Sequence, residues 1–158
     1  MADRDALLAL AERVEGLSGP DRETDERIAD ALFERSHFGQ IADAPPGTGC
    51  LFWWQDGHQQ SALRYTASID AAMTLVPESW VLESLSAWPG SPEGAGNKTQ
   101  AQSNCSLLGT SLERFGKRMI WGHSGKDGRA GGMAKTPALA LAAAALRARA
   151  QSQGDGHD

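Results

Sequence analysis

Apolar residues recur at helical spacing in two stretches near the start of the chain. Between residues 4 and 17 they fall three and four positions apart, and Gly19-Pro20 follows as a stop signal. Residues 21–35 repeat this spacing, with Pro20 before the first turn and acidic residues near the positive end of the helix dipole. The pattern predicts two amphipathic helices that form a helical hairpin.

Two further helices are predicted later in the chain. Thr66 or Ser68 can cap a helix that Pro77 ends. Thr136-Pro137 supplies a cap and a preset first turn for an alanine-rich helix that runs to about Gln151. Its small side chains predict close packing against a sheet. The arginines in its last turns are expected to interact with the negative end of the helix dipole; they are Arg147 and Arg149.

Strand patterns occupy the middle of the sequence. Residues 80–88 are rich in strand formers, and residues 105–115 and 117–123 are predicted as two strands joined tightly near Gly116. The aromatic run 50–54 is predicted as a strand or as a segment packed on the core. Because loops connect the central strands, we expect an α+β fold: a layered α-β-α sandwich with about four helices and a mostly antiparallel sheet of about three to five strands.

The 158-residue length predicts one α+β domain over residues 1–151 and a flexible tail over 152–158. Two glycine-rich segments are interpreted as loops within that domain, near 89–104 and 124–135. An apolar share of 41% and a charged share of 22% are ordinary for a folded protein.

The charge balance limits the classes of partner. A formal charge of −5 and a pI near 5.3 disfavour direct binding to nucleic acid, which requires clustered Lys and Arg. The polar N-terminus lacks a signal-peptide pattern, and the apolar run 138–146 is shorter than the ~20 residues that cross a bilayer. We therefore expect a protein of the bacterial host cytoplasm with no membrane partner.

Three stretches resemble a known family, the phage ABA (α-β-α) sandwich domain. They are residues 65–77 (YTASIDAAMTLVP), residues 136–150 (TPALALAAAALRARA) and the N-terminal segment 7–21. The resemblance implies a phage or prophage origin and an α-β-α sandwich, and it brings no catalytic residues with it. The region 83–129 is longer and richer in glycine than the family suggests, so it is either a functional region or a neutral insertion.

No catalytic, metal or cofactor motif is present in the sequence. The four histidines are scattered, and neither Cys50 nor Cys105 lies in a cluster with zinc-ligand spacing. Residues 94–99 approach a phosphate loop, but Asn97 separates the glycine from Lys98. We expect no enzymatic activity and no cofactor.

Aromatic and basic residues supply the candidate binding surface. If Trp53 and Trp54 lie on a strand, they point to opposite faces, which predicts one core and one exposed tryptophan. The basic stretch around a proposed hairpin is either a phosphate-binding patch or a solvated strand face. The candidate binding residues are Trp53, Trp54, Arg114, Arg118, Trp121, Lys126 and Arg129.

Three functions fit these observations. The leading hypothesis is a phage accessory protein that binds and inhibits a host protein, such as an antiphage defence component of CRISPR-Cas type. The alternatives are a small-ligand protein that sequesters nucleotides, and a phage structural or assembly protein that oligomerises through its alanine-rich helix.

Overall fold

The computed structural model describes residues 3–36, 44–47, 51–55, 57–88, 102–109, 114–115, 118–119 and 129–154. Four helices lie within these ranges: α1 (Arg4–Gly16), α2 (Arg22–Leu32), α3 (Ile69–Met73) and α4 (Pro137–Gly154). Eight strands accompany them: β1 (Glu34–Arg35), β2 (Trp53–Gln55), β3 (His58–Gln60), β4 (Trp80–Trp88), β5 (Gln102–Gly109), β6 (Arg114–Phe115), β7 (Arg118–Met119) and β8 (Arg129–Ala134).

Three of the four described helices begin at a side-chain cap, and two of these caps, Ser68 and Thr136, are among the predicted ones. The side chain of Asp21 accepts a bond of 3.0 Å from the amide of Thr24 at the start of α2. Ser68 caps α3 and Thr136 caps α4 in the same way, each at 3.3 Å. These hydrogen bonds satisfy amides that have no partner inside a helix, so each cap is a local signal that the sequence already contains.

Every strand pair among the described residues is antiparallel, and the α+β class is confirmed. The strands form two three-stranded sheets, in the orders β1-β2-β3 and β4-β5-β8, together with the two-stranded β6-β7. Phe115 pairs with Arg118, which confirms the hairpin predicted around Gly116. The strand predicted over 105–115 instead begins at Gln102 and ends at Gly109.

The loop predicted near 124–135 is wrong over its second half, where residues 129–134 form β8. The loop predicted near 89–104 likewise extends too far, because β5 begins at Gln102. Glycines in β8 obscured the strand pattern, and the packing explains why one of them is there. A Cβ on Gly132 would overlap the carbonyl oxygen of Ala140 and lie 2.8 Å from the amide nitrogen of Ala144, so β8 lies directly against the backbone of α4.

Helix α4 forms the centre of the core. It packs over β5 and β8, and α1 and α3 pack against it in turn. Residues 138–146 are buried without interruption, including every alanine in that run. A helix that is apolar all round is a central helix. The predicted close approach between the alanine-rich helix and a sheet is confirmed.

Arg147 and Arg149 do not lie at the negative end of the α4 dipole, where they were predicted. Arg147 donates to Glu15 of α1, and Arg149 donates to the carbonyl of Leu75, just beyond α3, at 2.5 Å. Helix α4 continues to Gly154, so neither arginine is in its last turn. They instead connect α4 to its neighbours.

The outer edge of β8 is covered by side chains. Glu15 accepts a bond of 2.9 Å from the amide of Met133, and Arg147 donates at 2.7 Å to the carbonyl of Gly131. Gln151 donates at 3.2 Å to the carbonyl of Arg129. Because an exposed strand edge can pair with another chain, these bonds protect β8 from such pairing.

Among the residues that the structure describes, no helix combines the length and apolar character needed to cross a membrane.

Candidate functional site

The adjacent tryptophans of β2 lie on opposite faces of their sheet. Trp53 is fully buried, whereas 46% of Trp54 is exposed. This alternation follows from the two-residue period of a strand. The prediction of one core and one exposed tryptophan is confirmed, and the sequence alone could not say which was which.

Polar contacts hold Trp53 in the core. Its indole Nε1 donates at 2.9 Å to Oδ1 of Asp30 on α2. Arg35 binds the same carboxylate through two donors, at 3.0 and 2.6 Å. Trp53 is therefore a buried anchor between β2 and α2, and its side chain is not accessible to a partner. The core position of Trp53 turns Trp54 outward.

Phe52 extends the exposed aromatic surface beside Trp54. It lies two residues before Trp54, so both point to the same side of the chain, and 40% of its surface is exposed. Glu34 and Gln59 flank Trp54 on the neighbouring strands, and both are exposed. We call the surface formed by Phe52, Trp54, Glu34 and Gln59 the aromatic face.

Hydrogen bonds and a tight turn stabilise the small sheet that carries the aromatic face. The amide of Ser36 donates at 2.8 Å to the carbonyl of Phe52, which continues the pairing of β1 with β2. Gln60 donates at 2.7 Å to the buried side chain of Gln55. Gly57 has a φ of 76° in the tight turn between β2 and β3, a conformation that glycine adopts without strain.

The structure does not bring the predicted basic residues into one described cluster. Arg114 pairs with Met119 and Arg118 with Phe115, so the two arginine positions fall on opposite faces of the β6-β7 hairpin. Arg129 is exposed and forms an ion pair of 3.0 Å with Glu83. Trp121 and Lys126 lie outside the described residues.

A second surface, which sequence reasoning missed, lies at the covered edge of β8. A depression of about 350 Å³ is lined by Glu15, Asn104, Arg147 and the glycines of β8. The hydrogen bonds from Arg147 hold the pKa of Glu15 below its ordinary value. Oδ1 of Asn104 is buried without a donor among the described residues. The charged groups bind each other and the backbone, so this surface has a clear structural role.

Buried acidic residues of α2 also have structural partners. Asp25 accepts a bond of 2.7 Å from the amide of Thr66, and burial raises the pKa of its carboxyl group. Glu26 accepts from the amide of Gly47 at 2.5 Å and pairs with Arg22 at 3.3 Å. These bonds attach α2 to two loops, which is sufficient reason for the acids to be buried.

The buried thiol of Cys105 is poorly suited to chemistry. Burial raises its pKa to about 11, so the reactive thiolate is scarce at neutral pH. Within the described ranges, no group of three His, Cys, Asp or Glu residues is arranged to hold a metal ion.

Comparison with known proteins gives no relative: no family model, curated protein or solved structure matches the chain. The resemblance to the phage sandwich domain therefore stays a prediction.

Proposed function

We propose that the protein acts by binding another protein through the aromatic face. The observation that carries this proposal is the exposure of Phe52 and Trp54 together on one side of a small, well-bonded sheet. Large aromatic side chains are the residues that most often dominate the binding energy of protein interfaces. Trp54 lies on β2 and Phe52 directly precedes that strand, where its carbonyl is bound by Ser36, so hydrogen bonds hold the backbone that carries both rings before a partner covers them.

The surroundings of Trp54 suggest the chemistry of the partner. Glu34 lies opposite Trp54 on β1, and Gln59 lies opposite it on β3. An arginine of the partner could stack on the indole ring and pair with the Glu34 carboxylate at the same time. The proposed partner therefore presents a basic side chain beside an apolar pocket, which also suits a protein of charge −5.

The identity of the partner rests on the resemblance to phage proteins. A phage accessory protein would act on a protein of the bacterial host cytoplasm, and our first candidate is an antiphage defence component of CRISPR-Cas type, which binding would inhibit. Such a role requires affinity and no chemistry.

The test begins with capture from a nuclease-treated lysate of the bacterial host, followed by binding measurements with the purified captured protein. We expect Trp54→Ala to weaken the purified complex by at least about 30-fold, which is the size of a hot-spot effect. Met73→Ala is the matched control, because Met73 is a similarly exposed apolar residue on α3.

Two results would contradict the proposal. One is a purified complex that Trp54→Ala and Phe52→Ala leave unchanged. The other is the absence of any captured protein together with binding of a nucleotide in a calorimetric titration, which would favour the small-ligand alternative.

A further inference from the structure

The two edges of the sheet β4-β5-β8 differ. Side chains of α1 and α4 cover the outer edge of β8 through Glu15, Arg147 and Gln151. At the other edge, no hydrogen bond from a side chain to the backbone of β4 is found within the part of the chain that the structure describes. Among the described residues, the β8 edge is therefore covered by side chains and the β4 edge is not.

Strand β4 exposes side chains on both of its faces beyond Trp80, which is buried and donates at 3.0 Å to Ser152 of α4. Val81 and Leu82 are adjacent, so they point to opposite sides, and each is about two-fifths exposed, at 40% and 38%. Ser86 and Ala87 are also adjacent and both exposed. Helix α4 lies mainly over β5 and β8, so β4 projects beside the helical layer.

A bulge divides β4 into two parts. The pairing with β5 shifts between Leu82 and Ser84, and Glu83 is the extra residue. Its carboxylate accepts a bond from Ser106 at 2.7 Å and forms an ion pair with Arg129. Beyond the bulge, residues 84–88 pair with β5 in regular register and carry no charge. A bulge limits pairing at a strand edge, but this bulge leaves the five residues after it in regular strand geometry.

We propose that β4 pairs antiparallel with β4 of a second copy of this chain, across a two-fold axis at Ser86. This register places Leu85 opposite Ala87 of the second copy and Ser84 opposite Trp88, so no like charges meet. Leu85 and Ala87 lie on the α4 side of the sheet, where their apolar side chains would cover each other.

The protected edge explains why pairing stops at two copies. A sheet with two open edges could add copies indefinitely, whereas the covered β8 closes the assembly at a six-stranded sheet. An isologous contact of this kind gives a closed dimer. This inference goes beyond the proposed function, and it uses a different sheet from the aromatic face.

The experiment is sedimentation velocity of the full chain over a wide range of concentration. We expect a monomer–dimer equilibrium in the wild type. Ser86→Lys and Ser86→Glu should each weaken it roughly fivefold or more, because the substitution places like charges opposite each other at the axis. An equal mixture of the two variants should dimerise more tightly than either alone, since the charges across the axis then attract.

Gln102→Lys is the matched control. Gln102 is exposed on β5, one strand in from the edge, so its lysine should leave dimerisation unchanged. Far-UV circular dichroism checks that each variant is folded. A wild type that stays monomeric at every concentration overturns the proposal. It is also overturned if the Ser86 variants dimerise as tightly as the wild type or if mixing them gives no gain.

Discussion

Replacing Gly132 with alanine tests the packing of β8 on α4. The added Cβ would overlap the carbonyl oxygen of Ala140 and lie 2.8 Å from the amide nitrogen of Ala144. Both are backbone atoms of a helix, so no side-chain rotation can relieve the overlap. Strand and helix must separate, and the contacts at the centre of the core weaken with them.

The expected loss of stability can be estimated from the cost of overpacking. Extra methyl groups in a filled core cost about 1–3 kcal/mol, and a clash with two backbone atoms falls at or above the upper end of that range. Alanine also restricts the unfolded chain more than glycine does, and this effect offsets the loss by less than about 1 kcal/mol. We therefore expect Gly132→Ala to lower the free energy of unfolding by about 3 kcal/mol, a large part of a typical total of ~5–15 kcal/mol.

The neighbouring glycine provides a matched control. A Cβ on Gly131 would meet only the carbonyl oxygen of Cys105, at an ordinary distance of 3.7 Å. Gly131→Ala should change the free energy of unfolding by less than about 1 kcal/mol. Urea denaturation, followed by tryptophan fluorescence, measures both variants. The reasoning fails if Gly132→Ala stays within about 1 kcal/mol of the wild type, or if the two variants lose stability equally.

Three further predictions concern single side chains. Glu15→Gln should lower the free energy of unfolding by about 1–3 kcal/mol at pH 7, because it weakens the bonds to Arg147. Since the folded pKa of Glu15 is lowered, the difference between the variant and the wild type should shrink as the pH falls below the ordinary pKa of a carboxyl group. Urea titrations at pH 7 and pH 3 measure this difference. The thiol of Cys105 should react with a disulfide reagent only when the protein unfolds; rapid labelling of Cys105 in the folded state, located by mass spectrometry, would contradict its burial. Trp53→Phe should lower the free energy of unfolding by about 1–3 kcal/mol through a lost bond and a cavity, whereas Trp54→Phe should change it by less than about 0.5 kcal/mol; equal effects in thermal melts would refute the core and surface assignments.

Local signals account for the elements that could be predicted. The caps at Asp21, Ser68 and Thr136 are formed by residues within three positions of the amides they bind, so the sequence contains both partners side by side. The two-residue period of a strand likewise separates Trp53 from Trp54. Helix starts and the alternation in β2 therefore follow from short-range chemistry.

The candidate site was predictable only in part, because part of it depends on contacts between residues far apart in the chain. Trp54 could be named as a candidate anchor, but the choice between it and Trp53 depends on Asp30, 23 positions away from Trp53. Phe52 was not selected, because its exposure depends on where α2 and the core lie. The signal that could have found it was its position two residues before Trp54 in the aromatic run 50–54, which was predicted as a strand.

The sequence by itself determined the α+β class, the presence of four helices and the alternation of the two tryptophans, because each depends on residues close together in the chain. Only the tertiary structure decided that 129–134 is a strand, since its glycines carry little strand signal and gain their meaning from contact with α4. It also decided which sheet edge is covered. The pair of Glu15 and Arg147 joins residues 132 positions apart, and such a pairing has no signature in local sequence.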